Sequence, residues 1–216
     1  MYKRVLQLQE DLKASVIVLD IDGTLKDLCK EHENALKATL EVQKVSYASK
    51  AIVLFVNKIA TSMVKLGAFS TNNTKQEILT FVFAILSFRN YKKFRKAYYA
   101  NYENELCLFD DVKKLLNALE GKAEVYFATV NKQNYNLEEC GIKADRIICE
   151  YNQKKLMTYL KLYAKFDIRK EKILIVGDNF FDDILSAKRL KVESLMVNRY
   201  GSKLKEVVCK ILKISI

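Results

Sequence analysis

Apolar residues along this chain follow two rhythms. Five short runs are dense in aliphatic and β-branched residues: 15–19, 124–128, 146–149, 172–176 and 194–197. Runs of this length bounded by polar residues read as buried strands. The segments between them carry apolar residues at helical spacing instead. From residue 27 to residue 103 there is no strand pattern at all. Helices are expected there over 31–45, over 49–66, from a cap at Asn73 or Thr74 through 88, and over 89–102. Further helices are expected from Asp110 or Asp111 to just before Gly121, over 133–140 closed by Gly141, over 153–166, over about 180–190, and from Ser202 onward.

Strands that alternate with helices imply a parallel sheet covered on both faces. The expected fold is an α/β doubly wound five-stranded sheet built from residues 1–26 and 104–216. The helical block 27–103 is inserted after the first strand as a separate domain.

Two of the strands end in carboxylates. The first runs Ser15-Val-Ile-Val-Leu-Asp20-Ile-Asp22-Gly23-Thr24-Leu25, and the other Lys172-Ile-Leu-Ile-Val-Gly177-Asp178-Asn-Phe-Phe-Asp182-Asp183. Carboxylates brought this close repel unless a cation sits among them, so the pair suggests one shared metal site. A calcium loop counted from Asp20 fails: its sixth position, where glycine is needed, is Leu25, and its flank reads as strand, not helix.

These motifs resemble the haloacid dehalogenase-like hydrolase superfamily, most of whose members are Mg²⁺-dependent phosphatases. Asp20-Ile-Asp22-Gly23-Thr24 matches the first family motif in full. Thr129, ending the strand Ala123-Glu-Val-Tyr-Phe-Ala-Thr129, is in the place of the second. Lys154 or Lys155, opening a later helix, would supply the third, with Lys154 preferred. Gly177-Asp178 with Asp182 and Asp183 matches the last.

The resemblance implies a helical cap for residues 27–103, of the kind found in the phosphoglycolate phosphatase-like branch. It also implies that the first strand lies between the second and fourth. Asp20 would be the nucleophile. Asp20, Asp178 and the backbone carbonyl of Asp22 would hold Mg²⁺, with Asp183 or Asp182 supporting the metal shell and Asp183 the better match. The Asp22 side chain would serve as acid and base. Thr129, Val130, Asn131 and the lysine would bind the phosphate. Dehalogenases and P-type ATPases of the superfamily lack an acid at the position of Asp22, so its presence implies a phosphate ester hydrolase. A phosphomutase or phosphonate hydrolase would use the same core residues, and a binding module could retain the fold without catalysis.

Composition narrows the setting. Half of the 216 residues are apolar, ample for a core. No apolar run reaches the ~20 residues of a membrane span; the nearest, 51–69, is interrupted by Lys58 and Lys65. No membrane partner and no signal peptide are expected. The five cysteines are scattered, as in reduced thiols of a cytoplasmic protein. The partner that the resemblance implies is a small soluble phosphate ester. The net charge of +11 is concentrated in residues 42–102, which hold ten Lys/Arg against one acid, Glu77. There Phe88, Tyr91, Phe94, Tyr98 and Tyr102 form one helical stripe, and Arg89, Lys92, Lys93 and Lys96 form another. The expected arrangement is a packed aromatic face and a solvated basic face, with nucleic acid a less favoured use. The single histidine, His32, is expected at the surface.

Overall fold

The computed structural model describes residues 1–66, 71–104, 106–130, 137–149, 155–165, 172–201 and 206. The chain divides into two compact units. One is built from Met1–Asp27 and Leu108–Arg199, the other from Leu28–Cys107.

The first unit is organised by a five-stranded, all-parallel sheet. Its strands are β1 (Val16–Asp20), β2 (Glu124–Thr129), β3 (Ile147–Cys149), β4 (Ile173–Gly177) and β5 (Glu193–Met196), in the order β3-β2-β1-β4-β5. β1 is central, and all five of its residues are buried. Val16 and Val18 point to the face packed by Tyr159 and Leu162 of α7 (Lys155–Lys165) and by Ala187 of α8 (Leu185–Arg189). Ile17 and Leu19, of opposite parity, are equally buried, so the sheet is covered on both sides. Two further helices, α1 (Tyr2–Leu12) and α6 (Val112–Leu119), pack on each other, and α6 packs on β2.

Several elements depart from the sequence reading. α1 was not expected. It carries Val5, Leu8 and Leu12 at helical spacing, buries Val5 and Gln9, and ends at Lys13 in the left-handed conformation. Asp111 does stand at the N-terminus of α6, but its side chain makes no capping bond. It accepts instead from Arg199 at 2.6 Å and from the Tyr2 N–H at 3.2 Å. The expected plain helix over 180–190 opens as a π-helical turn, Phe180–Ile184, before α8. Gly121 and Gly141 adopt the positive φ expected of helix ends. Of the expected helix 133–140, only the 3₁₀ turn Leu137–Cys140 lies within the described residues. The expected final helix from Ser202 lies almost wholly outside them.

The second unit is helical: α2 (Leu28–Val42), α3 (Tyr47–Leu66), α4 (Thr71–Ile85) and α5 (Phe88–Asn104). α4 and α5 are separate helices rather than one continuous one; the Ser87 carbonyl accepts the Tyr91 N–H at the start of α5. Their shared core includes Leu36, Leu40, Val53, Ile78, Val82, Phe94 and Tyr98. The aromatic stripe of α5 packs into this core, except for Phe88 at its end, which is 61% exposed. Arg89, Lys92, Lys93 and Lys96 are exposed. Buried Glu31 accepts the N–H of Cys107 at 3.1 Å and so ties the two ends of the unit together.

His32 is not at the surface. It faces the helix core, where Nδ1 lies 2.6 Å from the Tyr98 hydroxyl and the two rings meet edge to face. Its position on the buried side of α2, with Ala35, Leu36 and Leu40, explains the departure. Burial, helped by the charge of Lys75, lowers its pKa from 6.5 to about 4. The folded protein therefore holds neutral His32, whereas the unfolded chain takes up a proton below about pH 6.5. The contribution is present in full above that pH and is lost as the pH falls toward 4. Stability should drop by as much as ~3 kcal/mol over that window from this residue. The drop should be visibly smaller in His32→Gln, read as denaturation midpoints at each pH. Identical pH profiles for the two proteins would contradict this account.

Candidate active site

In a doubly wound sheet, the carboxyl ends of the strands are where loops can gather side chains from several elements. Here Asp20 closes β1, Thr129 closes β2, and Asp178 follows the last residue of β4. The register aligns Asp20 with Ala128, and Leu19 with Val176. The three residues therefore share one edge, on neighbouring strands ~4.8 Å apart.

Asp20 is buried. One carboxylate oxygen accepts from the Thr24 hydroxyl at 2.9 Å, and the other is paired with the Lys155 ammonium. Lys155, the first residue of α7, is buried too, and its Nζ also lies 2.9 Å from Asp183. One ammonium thus sits between two buried carboxylates. Burial alone would lower the lysine's pKa; the charges of Asp20 and Asp183 outweigh it and raise it, so the cation is fixed. For Asp20 burial is the largest influence and raises the pKa well above the ordinary carboxylate value. Lys155 opposes this, and the charges of Asp183 and Asp178 add to it.

Asp183 comes from the π-helical turn. Asn179 caps that turn, its side-chain oxygen accepting the N–H groups of Phe181 and Asp182. The two consecutive acids meet different environments: Asp183 is fully buried, whereas Asp182 is exposed and accepts from the Asn179 amide at 2.9 Å. Asp183 also accepts from the Tyr159 hydroxyl at 2.6 Å and from the Asn179 N–H at 3.0 Å.

Oxygens of Asp20, Asp178 and Asp183 all lie within 4.8 Å of one another. A group of carboxylate oxygens without a soft donor fits a small hard cation such as Mg²⁺. Two glycines leave room for these carboxylates. At Gly23, with φ +83°, a side-chain carbon would come within 2.8–3.0 Å of the Asp178 carboxylate. At Gly177 it would overlap the Asp183 carboxylate outright.

Asp22 is turned elsewhere. Its Oδ2 accepts from the Thr129 hydroxyl at 3.0 Å, and its Oδ1 lies 3.5 Å from the Lys26 ammonium. Its carboxylate is not part of the acidic group. Arg199 braces the loop between them, donating to the Thr24 carbonyl at 2.7 Å while its guanidinium stacks over Phe109.

Of the residues expected from sequence, Asp20, Asp178, Asp183 and Lys155 converge. Asp22 and Thr129 form a second, linked pair. Asp182 stands outside, and Val130 follows β2 without entering either group among the described contacts. Lys155 reaches Asp20; Lys154, the preferred of the two lysines, and Asn131 lie outside the described residues. The sequence reading missed Tyr159 and Lys26. For Tyr159 a signal existed: it stands four residues after Lys155, on the same helix face.

The haloacid dehalogenase-like hydrolase family model matches residues 17–197. The chain belongs to this family. Its fold is shared with YfnB of Bacillus subtilis, described as a HAD-hydrolase and solved bound to magnesium (TM-score 0.59, 16% identity, covering 86% of this chain and 87% of that one). A hydrolase from Streptococcus pneumoniae TIGR4 is similar (TM-score 0.58, 17% identity, 94% and 100% covered). So is a subfamily IA HAD hydrolase from Geobacter sulfurreducens (TM-score 0.57, 16% identity, 85% and 86% covered). Comparison with curated proteins finds no significant match.

The contact at Gly177 yields a prediction. Gly177→Ala must displace the Asp183 carboxylate and with it the bonds to Lys155 and Tyr159. Denaturant titration should show a loss of ~1–3 kcal/mol. An unchanged midpoint would mean that Asp183 can swing clear at no cost.

Proposed function

We propose that this hydrolase is a Mg²⁺-dependent phosphatase acting on a small soluble phosphate monoester. The observation that carries the reading is the division of labour within Asp20-Ile21-Asp22. The Asp20 carboxylate faces the acidic group and Lys155, whereas the Asp22 carboxylate is turned to Thr129 and Lys26. One carboxylate suits attack; the other is free of the metal ligands and suits proton transfer. The family's dehalogenases lack an acid at the position of Asp22, which favours ester hydrolysis over dehalogenation.

In this reading Asp20, Asp178 and the Asp22 carbonyl would hold Mg²⁺, with Asp183 supporting them. The bound cation would draw off charge from the phosphoryl oxygens. Asp20 attacks phosphorus through one oxygen of the carboxylate that Thr24 and Lys155 orient from its two sides, giving an aspartyl-phosphate as the P–O bond to the leaving group breaks. Asp22 delivers a proton to the departing alkoxide oxygen. It then removes one from the water that attacks the phosphoaspartate, so the side chain ends as it began. The Lys155 charge offsets negative charge on the nucleophile and on the transferring group. Thr129 and the backbone beyond β2 would bind phosphate oxygens.

Asp20→Asn keeps the shape of the side chain but removes the anionic nucleophile. Phosphate release from a panel of phosphorylated metabolites should fall at least ~10³-fold while the circular dichroism spectrum is unchanged. Near-normal turnover by the purified variant would overturn the covalent mechanism. In a separate assay, chelation should abolish turnover of the wild-type protein and Mg²⁺ should restore it. Ca²⁺, which coordinates at longer and looser distances, should restore little. Full activity after thorough chelation would exclude the metal-dependent reading.

A further inference from the structure

Lys26 has no assigned role in the reading above, yet it is among the most buried charged residues, at 2% exposure. An ammonium withdrawn from water is costly unless an anion compensates it. Its Nζ ends 3.5 Å from Asp22 Oδ1. The root of the side chain is fixed by the backbone. The Lys26 N–H donates to the Ile21 carbonyl at 2.9 Å, the Lys26 carbonyl accepts from Gly23 N–H at 3.2 Å, and Lys26 forms a bridge with Leu108. The loop after β1 therefore folds back on itself and aims its last lysine at the carboxylate in its middle.

The two carboxylates of Asp20-Ile21-Asp22 turn out to be held in the same way. Asp20 has a threonine hydroxyl, Thr24, on one oxygen and a lysine, Lys155, on the other. Asp22 has Thr129 on one oxygen and Lys26 beside the other. Donors on both oxygens fix the plane of a carboxylate as well as its position. Lys26 stands beside Oδ1, the oxygen opposite the one that Thr129 holds, and so opposes rotation of the carboxylate about the Thr129 bond.

We propose that Lys26 is the positioning residue for Asp22: its ammonium, with the Thr129 hydroxyl, sets the orientation from which Asp22 serves the leaving group. This rests on the reading of Asp22 as the acid of a phosphatase. Orientation of the acid matters only when the leaving oxygen needs a proton. An alkoxide needs one; 4-nitrophenolate departs without.

The test uses Lys26→Met, which keeps the apolar stem and removes the charge, with Lys26→Gln read in the same way should the first fail to fold. Turnover is compared on 4-nitrophenyl phosphate and on whichever alkyl phosphate the wild-type protein hydrolyses fastest. kcat/KM, which reports the steps up to the phosphoenzyme, should fall at least ~10-fold on the alkyl ester and stay within ~2-fold on the nitrophenyl ester, whereas kcat falls on both esters where the later attack of water, for which Asp22 is the base, limits turnover. In a crystal structure of the variant, the Asp22 carboxylate should have rotated away from its wild-type orientation. Equal losses of kcat/KM on both esters, no loss of kcat/KM on the alkyl ester, or an Asp22 unmoved in the variant would each overturn the proposal. If the wild-type protein hydrolyses neither ester, the phosphatase reading fails, and the variant's crystal structure still decides whether Lys26 orients Asp22.

Discussion

The arrangement at the sheet edge depends on one electrostatic constraint: three carboxylates, from Asp20, Asp178 and Asp183, occupy a space less than 5 Å across, and two of them are buried. Left to themselves they would take up protons or push apart. Lys155 prevents this in part, placing a single positive charge between Asp20 and Asp183. Much of the surrounding structure serves that contact. Tyr159 and the Asn179 N–H complete the shell of Asp183, Gly177 gives its carboxylate room, and the π-helical turn faces it inward. A residual excess of negative charge remains, which is what a cation-binding site requires.

The scaffold supplies the rigidity that such a site needs. β1 and β4 are buried along their whole length, so their ends cannot drift. The loop after β1 is held by its own turn, by the Phe109 N–H on the Leu25 carbonyl, and by Arg199 on the Thr24 carbonyl. Arg199 is in turn held by Asp111, whose carboxyl group, despite the opposing effect of its partial burial, is kept below its ordinary pKa chiefly by that guanidinium. Asp111 gives up its capping role for this. A helix cap contributes roughly 1 kcal/mol, so its diversion to an ion pair next to the loop indicates where the fold spends its polar groups.

The helical unit follows a different logic. Its core is aliphatic and aromatic, and the five basic residues of α5, Arg89, Lys92, Lys93, Arg95 and Lys96, stay on the exposed side of that helix. A few polar side chains stitch its helices: Asn101 donates to Thr39, and His32 meets Tyr98. Buried polar contacts of this kind favour one packing arrangement over others because mispairing leaves a donor or acceptor unsatisfied.

Much of this was legible in the sequence because it depends on local pattern. The five strands declare themselves by short β-branched runs. The helical insertion shows in the loss of that pattern, Asp20, Asp22 and Asp178 stand out as carboxylates at strand ends, and Thr129 is picked out by the family resemblance. Asp183 could be preferred over Asp182 by its spacing to Ile184 and Ala187. What only the tertiary structure decided is which side chains meet. Adjacent lysines at a helix start look alike in sequence; that Lys155 meets both Asp20 and Asp183 is a fact of the assembled fold. His32 lies on a helix face whose burial depends on Tyr98, sixty-six positions away. Lys26 reads as a surface charge until the loop closes and aims it at Asp22. Periodicity records the environment of a position along its own element, but a charge finds its partner through distances between elements, and those exist only once the sheet and its loops have assembled.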